Sequence, residues 1–218
     1  MAVTELARLR LLAGTEPSTP TLLANLAKAK AVMEEASGFK FHYYHCVEDP
    51  NVIFIIGAWP SVQFHMQHFI PGRPNQELLA LLKDQVTVEW MFHLDIDPTK
   101  GQLPLTRDFV AIGRHFIKEG DLDGFRATFG ENKHALESFI GGPSQFAWGF
   151  RMDKGFDPSL EREKQEEFVL FTAWNSVEHH CEFAKEDGLK KYMQIKDHLE
   201  GVDIKHAALL DVGGTARN

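Results

Sequence analysis

The chain has 218 residues, of which 44% are apolar, 11% aromatic and 25% charged, the composition of a folded protein with one large domain or two of about 100 residues. Its net charge is −8 and no basic block stands out, which excludes nucleic acid as an expected partner. The longest apolar run, Val52 to Trp59, is far short of the roughly 20 residues of a membrane-spanning helix; with Glu5, Arg8 and Arg10 near the start, neither a membrane span nor a secretory leader is expected.

In chain order, residues 5–14 read as a strand. A helix follows from Pro20 to Ser37, with Thr19 as its cap, proline in its first turn and Gly38 as its stop. Residues 39–47 and 51–59 form a hairpin, Ser61 opens a helical stretch to Phe69, a helix covers 75–85, and 86–96 is a strand. After a linker at 98–106, the order returns: strand at 108–117, helix at 121–139, strands at 144–152 and 166–174, helices from Ser176 to about Glu200, and a strand at 202–211. Cys46 and Cys181 lie too far apart for a metal knuckle or redox pair, and a reducing, cytoplasmic setting is expected.

The return is also visible in residues. AWPSVQFH at 58–65 matches AWNSVEHH at 173–180, and KAVMEEASG at 30–38 matches KHALESFIG at 133–141. The offsets, 115 and 103, differ because the second copy carries an insertion, placed at 153–165. The order βαββαβ, twice, is ferredoxin-like. The expected fold is therefore α+β, two such units in residues 1–97 and 107–212 with a tail at 213–218, packed sheet to sheet so that each covers the other's apolar face.

The segments GAWPSVQFHMQHF at 57–69 and TAWNSVEHHCEFA at 172–184 resemble the dimeric α+β barrel superfamily, in particular its antibiotic-biosynthesis monooxygenase-like (ABM) group: a strand ending in Trp, a short polar turn, then a helix with an inward His. The resemblance implies a tandem form of a barrel otherwise made by two chains. It leaves the reaction open among cofactor-free oxygenases, haem-degrading enzymes, isomerases, cyclases, decarboxylases and non-catalytic stress or ligand-binding proteins. For the haem-degrading branch, Trp59 and His68 match, but the first strand lacks the Asn of that branch, and the second copy has Phe183 and Ala184 where its His would stand. The cofactor-free branch implies a pocket between sheet and helices where an aromatic substrate stacks on Trp and Tyr while His or Tyr removes a phenolic proton. No cofactor is expected. The expected partner is a hydrophobic, aromatic or polyketide-like small molecule of secondary metabolism; monomer and homodimer both remain open.

The candidate catalytic residues are His65 and His180, equivalent in the two copies, with His68 and Tyr44. The paired His65 and His68 lack a third ligand by spacing, so no metal is expected. Candidate substrate contacts are His42, Tyr43 and His45 on the second strand, with Trp59, Trp90, Trp148 and Trp174. Alternation places His42 with Tyr44 and Tyr43 with His45. His206 aligns with Trp90, and the first copy, richer in Tyr and His, is expected to carry more of the chemistry.

Overall fold

A computed structural model describes residues 1–99, 103–105, 108–154, 165–183, 185 and 187–213. The chain forms two compact units, Met1–Pro98 together with the residues from Ala207 on, and Thr99–His206. In the first unit the elements are β1 (Val3–Leu11), α1 (Pro20–Ser37), β2 (His42–Cys46), β3 (Val52–Trp59), α2 (Val62–Phe64) running into a π turn (His65–Phe69), α3 (Arg73–Leu82) and β4 (Val86–Leu94). In the second they are β5 (Phe109–Ile117), α4 (Leu122–Phe139), a 3₁₀ turn (Pro143–Gln145), β6 (Phe146–Phe150), β7 (Glu167–Ala173), α5 (Val177–Phe183), α6 (Asp187–Tyr192), a 3₁₀ turn (Met193–His198) and β8 (Leu199–Leu209). Each unit is a mixed α+β structure on an antiparallel sheet.

The strand order of the first unit is β4-β1-β3-β2, and that of the second is β8-β5-β7-β6. β8 is the long strand at 11 residues; its last three residues pair with β2, Tyr44 opposite Leu209 and Cys46 opposite Ala207. This pairing is why the end of the chain groups with the first unit and not with the second, where the sequence places it. The linker at 98–106, the insertion at 153–165 and the tail at 213–218 fall partly outside the described residues.

β1 begins two residues earlier than the sequence indicates, because Thr4 pairs with both Ala58 and Leu94 and its hydroxyl donates to the Ile96 carbonyl at 3.0 Å. It stops at Leu11, and the chain turns at Gly14 with φ +84°, a left-handed conformation that costs glycine least. Thr19 sits at the cap of α1 but its hydroxyl accepts from the Glu16 N–H instead of from the helix. Gly38, φ +77°, closes α1 by donating its N–H to the Glu34 carbonyl.

In each unit the helices cover one sheet face. Leu22, Leu26 and Met33 of α1 pack with Tyr43, Ile53 and Trp59, and the Tyr43 hydroxyl donates to the Leu26 carbonyl at 3.2 Å. Phe125, Phe129 and Leu136 of α4 pack with Phe146, Phe168, Leu170 and Trp174. One close approach in the first core depends on glycine: a Cβ on Gly57 would lie 2.1 Å from the Phe41 ring. Gly57→Ala is therefore expected to destabilise the protein by about 1–3 kcal/mol. Gly130→Ala, in the exposed interior of α4 where nothing stands within 4 Å, is expected to stabilise by about 0.5–1 kcal/mol. Thermal melts of the two variants should move in opposite directions.

Candidate active site

The strand-to-helix junction is built alike in the two units. Trp59 ends β3 and Trp174 follows β7; two residues on, Ser61 and Ser176 cap the next helix, their hydroxyls accepting from the N–H of Phe64 at 3.0 Å and of His179 at 3.2 Å. One turn in, the N–H of His65 and of His180 donates to the carbonyl of the capping Ser. This spacing brings each imidazole back over its tryptophan. The rings of Trp59 and His65 stack at 4.0 Å and 9°, those of Trp174 and His180 at 4.3 Å and 16°.

Each stacked imidazole is then tied to a second histidine on the closing strand. His65 Nδ1 lies 2.8 Å from His93 Nε2, and His180 Nδ1 lies 2.7 Å from His206 Nε2. In both pairs one ring donates and the other accepts. The tryptophan N–H finds different acceptors: the Glu5 carboxylate for Trp59, the Thr172 hydroxyl at 2.7 Å for Trp174.

The two sites diverge at one register position. In the first unit Glu5 stands opposite Gly57; in the second Ala111 stands opposite Thr172. Glu5 also brings a carboxylate oxygen to 3.7 Å from His65 Nδ1. Phe41 fills the space beside Gly57, and Glu5, Trp59, His65 and His93 are all buried. Beside the second pair there is a cavity of about 260 Å³ whose lining includes Trp174, His180, Thr172, His115, Tyr192 and Lys196.

Of the sequence candidates, the structure brings Trp59 together with His65, and Trp174 together with His180. The others lie apart. His68 is exposed and packs edge-on against Phe64: the His65–Phe69 segment winds as a π turn, with the Ile70 N–H donating to the His65 carbonyl, so a residue three positions on does not return to the same face. Tyr43 faces the helices, and Tyr44, one residue on, is buried on the opposite face with half-buried His42. His45 bonds the Pro50 carbonyl in the hairpin turn. Trp90 stacks on Phe92 at 5.1 Å, on the face of β4 opposite His93. Trp148 is partly exposed against Phe129 and Lys133, and does not line the cavity.

Sequence reasoning missed Glu5, His93, Thr172, His115 and Tyr192, and set His206 against the wrong residue. The signal was a histidine near the end of each closing strand. Aligning His206 with Trp90 rather than His93 is a slip of three positions, an odd number, which turns a strand residue to the other face.

No family model matches the sequence, and no curated protein matches it. Solved structures do. The fold resembles a monooxygenase candidate from Fusobacterium nucleatum (TM-score 0.64, 9% identity, 96% of this chain and 93% of that one) and another from Lactobacillus acidophilus (TM-score 0.61, 15% identity, 96% and 94%). It also resembles the chlorite dismutase of Candidatus Nitrospira defluvii (TM-score 0.58, 10% identity, 97% and 92%). At these identities the likeness is one of fold alone, a mixed α+β arrangement on antiparallel strands.

The residues do not fit a haem. His68 is on the surface, and His65 is sealed in the core against Trp59 and His93. The cavity beside His180, about 260 Å³, is small for a tetrapyrrole. Among the described residues, no group of three or more His, Cys, Asp or Glu side chains is placed to hold a metal ion, and no helix is long and apolar enough to cross a membrane.

Burial sets the charge state of two histidines. Burial first, and then the neighbouring His93, push the His65 ring down to about 3; burial pushes His115 down to about 4, against the carbonyls of Phe168 and Gly113. Both rings are neutral in the folded protein near pH 7, and the unfolded chain takes up their protons first, near pH 6.5. Their contribution is complete above that pH and is lost as the pH falls toward 4 and 3. Urea unfolding should accordingly weaken over this acid range, by up to about 1.4 kcal/mol per pH unit for each ring. His115→Leu should flatten the slope between pH 6.5 and 4; an unchanged slope would show that His115 is not buried neutral.

Proposed function

We propose that this protein is an enzyme of the ABM monooxygenase-like kind, acting on a hydrophobic aromatic or polyketide-like molecule of secondary metabolism in the cavity of its second unit. The observation that carries the reading is His180, which lies in the cavity wall, is stacked on Trp174 and is tied through Nδ1 to His206. With Nδ1–H donating to His206, the other ring nitrogen of His180 holds a lone pair and is a base for a phenolic or enolic proton. Trp174 holds the plane of that ring, so the base does not have to be oriented at each turnover.

A phenolate or enolate so formed is electron-rich enough to react with dioxygen. For an anthrone-type substrate the balance is simple: a ring CH₂ becomes C=O with one oxygen atom, and the second leaves as water with the two hydrogens. This chemistry needs no cofactor held by the protein. The repeated element order supports reading the chain as the single-chain form of a dimeric α+β barrel. Cys46 and Cys181 are both free, in keeping with a reducing cytoplasm.

The same histidine pair serves a cyclase, isomerase or decarboxylase, which moves protons without using oxygen. Oxygen uptake separates the two readings. Purified protein given anthrone should consume dioxygen as the quinone appears, and His180→Ala should lower the rate by about 10²–10⁴-fold with a melting temperature within a few degrees of the parent. His65→Ala, in the closed site, should act on the melting temperature instead. Full activity in His180→Ala would end the proposal, and product formed without oxygen uptake would favour the proton-only reading.

A further inference from the structure

The cavity beside His180 has a lysine in its lining, Lys196, and no aspartate, glutamate or arginine among its described lining residues. Lys196 lies on the 3₁₀ turn Met193–His198, where side chains three positions apart share a face. Met193 and Lys196 therefore look to the same side, and both line the cavity; Ile195, between them, turns to the core. The turn itself is pinned. The Lys118 ammonium donates to the Asp197 carbonyl at 2.6 Å, the His198 ring is held between Asp121 at 2.8 Å and Thr128 at 2.9 Å, and the Lys196 carbonyl accepts the Leu199 N–H. Among the described residues the Lys196 ammonium forms neither an ion pair nor a hydrogen bond. A fixed backbone thus presents an unengaged cation on the side of the cavity.

The rest of the lining says what that cation can meet. Leu136, Leu170, Trp174 and Phe183 are buried, whereas Lys196 is exposed, so the cavity has an apolar interior and a lysine at its opening, with the stem along the wall and the charge toward water. An apolar cavity of roughly 150 Å³ accepts one benzene, so a space of about 260 Å³ accepts two fused rings, whose faces suit the leucine and phenylalanine wall. One ammonium balances one negative charge, which fits a carboxylate better than a phosphate, close to doubly charged at pH 7. A carboxylate held at the opening stays in contact with water, so neither partner bears the cost of full burial.

We propose that the cavity takes an aromatic acid, with a two-ring body inside and a carboxylate at the opening held by Lys196. The inference deepens the function given above and rests on it for the aromatic occupant. Lys196 is a positioning and specificity residue: fixing one end of a flat molecule at the opening sets which of its atoms reaches His180.

The test measures binding at pH 7 and low salt, so that it does not depend on turnover. The probes share one ring system: β-naphthoate, an anion, and β-naphthol, uncharged at that pH. The parent should bind β-naphthoate more tightly, and high salt should narrow the preference, because the pair sits at the rim. Lys196→Met keeps an unbranched stem and removes the charge; it should weaken β-naphthoate binding about tenfold, the low end for a hydrogen bond to a charged group, and leave β-naphthol binding and the melting temperature unchanged. Lys196→Arg should retain the preference. Lys191→Met, at an exposed lysine of α6 outside the lining, should change neither probe. No binding of β-naphthoate by the parent, equal loss of both probes in Lys196→Met, or the same loss in Lys191→Met would each overturn the assignment. A protein inert toward anthrone that shows this charge preference keeps the role of Lys196 and loses the proposed reaction; anthrone oxidised through His180 with no charge preference does the reverse.

Discussion

The stacking of an imidazole on a tryptophan at the junction of strand and helix is the constraint on which the rest of each unit depends. Trp59 and Trp174 end their strands buried, and each is a large surface that must be covered. A serine two residues on starts the helix, and the helix geometry then brings a histidine back over the indole. Because one ring nitrogen of that histidine meets the closing strand, the stack fixes three elements at once: the strand that carries Trp, the helix that carries His, and the strand that carries His93 or His206. A different separation between Trp and His would leave the indole uncovered or the imidazole unpaired inside the core, at a cost of the order of 1–3 kcal/mol.

The same frame gives two different interiors because a few neighbours differ in size and charge. Where the first unit has Glu5 opposite Gly57, the second has Ala111 opposite Thr172. Glycine at 57 admits the Phe41 ring, and the ring helps to close the site. Glu5 occupies the indole N–H and keeps a carboxylate near His65, so the first cluster is polar, internally bonded and shut. Thr172 meets the same indole N–H with a neutral hydroxyl, and the small Ala111 stands in the cavity wall. One interior is completed by its own side chains, and the other contains space.

Much of this was legible in the sequence. The helices α1 and α4 followed from period, and the strands from β-rich runs bounded by turn residues, since β1, β3 and β7 are buried along nearly their whole length. The Trp and His of each junction were visible as a repeat, since the motif is local and its geometry is set within eight residues. What the sequence did not show was long-range. Whether His93 or Trp90 faces the helices turns on strand phase across a bulge between Arg8 and Leu9 in the neighbouring strand, and phase errors invert faces. His68 looked like a partner of His65 only while the helix was taken to wind regularly; the π turn removes that partnership. Counting tyrosines and histidines favoured the first unit, but a count does not distinguish a side chain that fills a core from one that borders a cavity.

That distinction also bears on what each histidine pair can do as a base. A base must be able to carry the proton it takes, and burial opposes the charged ring most where no space remains for a substrate or water to respond. The His65–His93 pair is fully enclosed, and burial holds His65 at about 3, far too low to accept a phenolic proton near neutral pH. The His180–His206 pair is half-buried, and His180 borders the cavity. There the developing phenolate itself lies beside the imidazolium that its proton creates, so charge appears on both partners together and each stabilises the other. On the proposed reading, the two copies of one motif divide the work by enclosure: the sealed pair holds the first unit's strands to its helix, and the pair beside the cavity exchanges a proton with whatever the cavity binds.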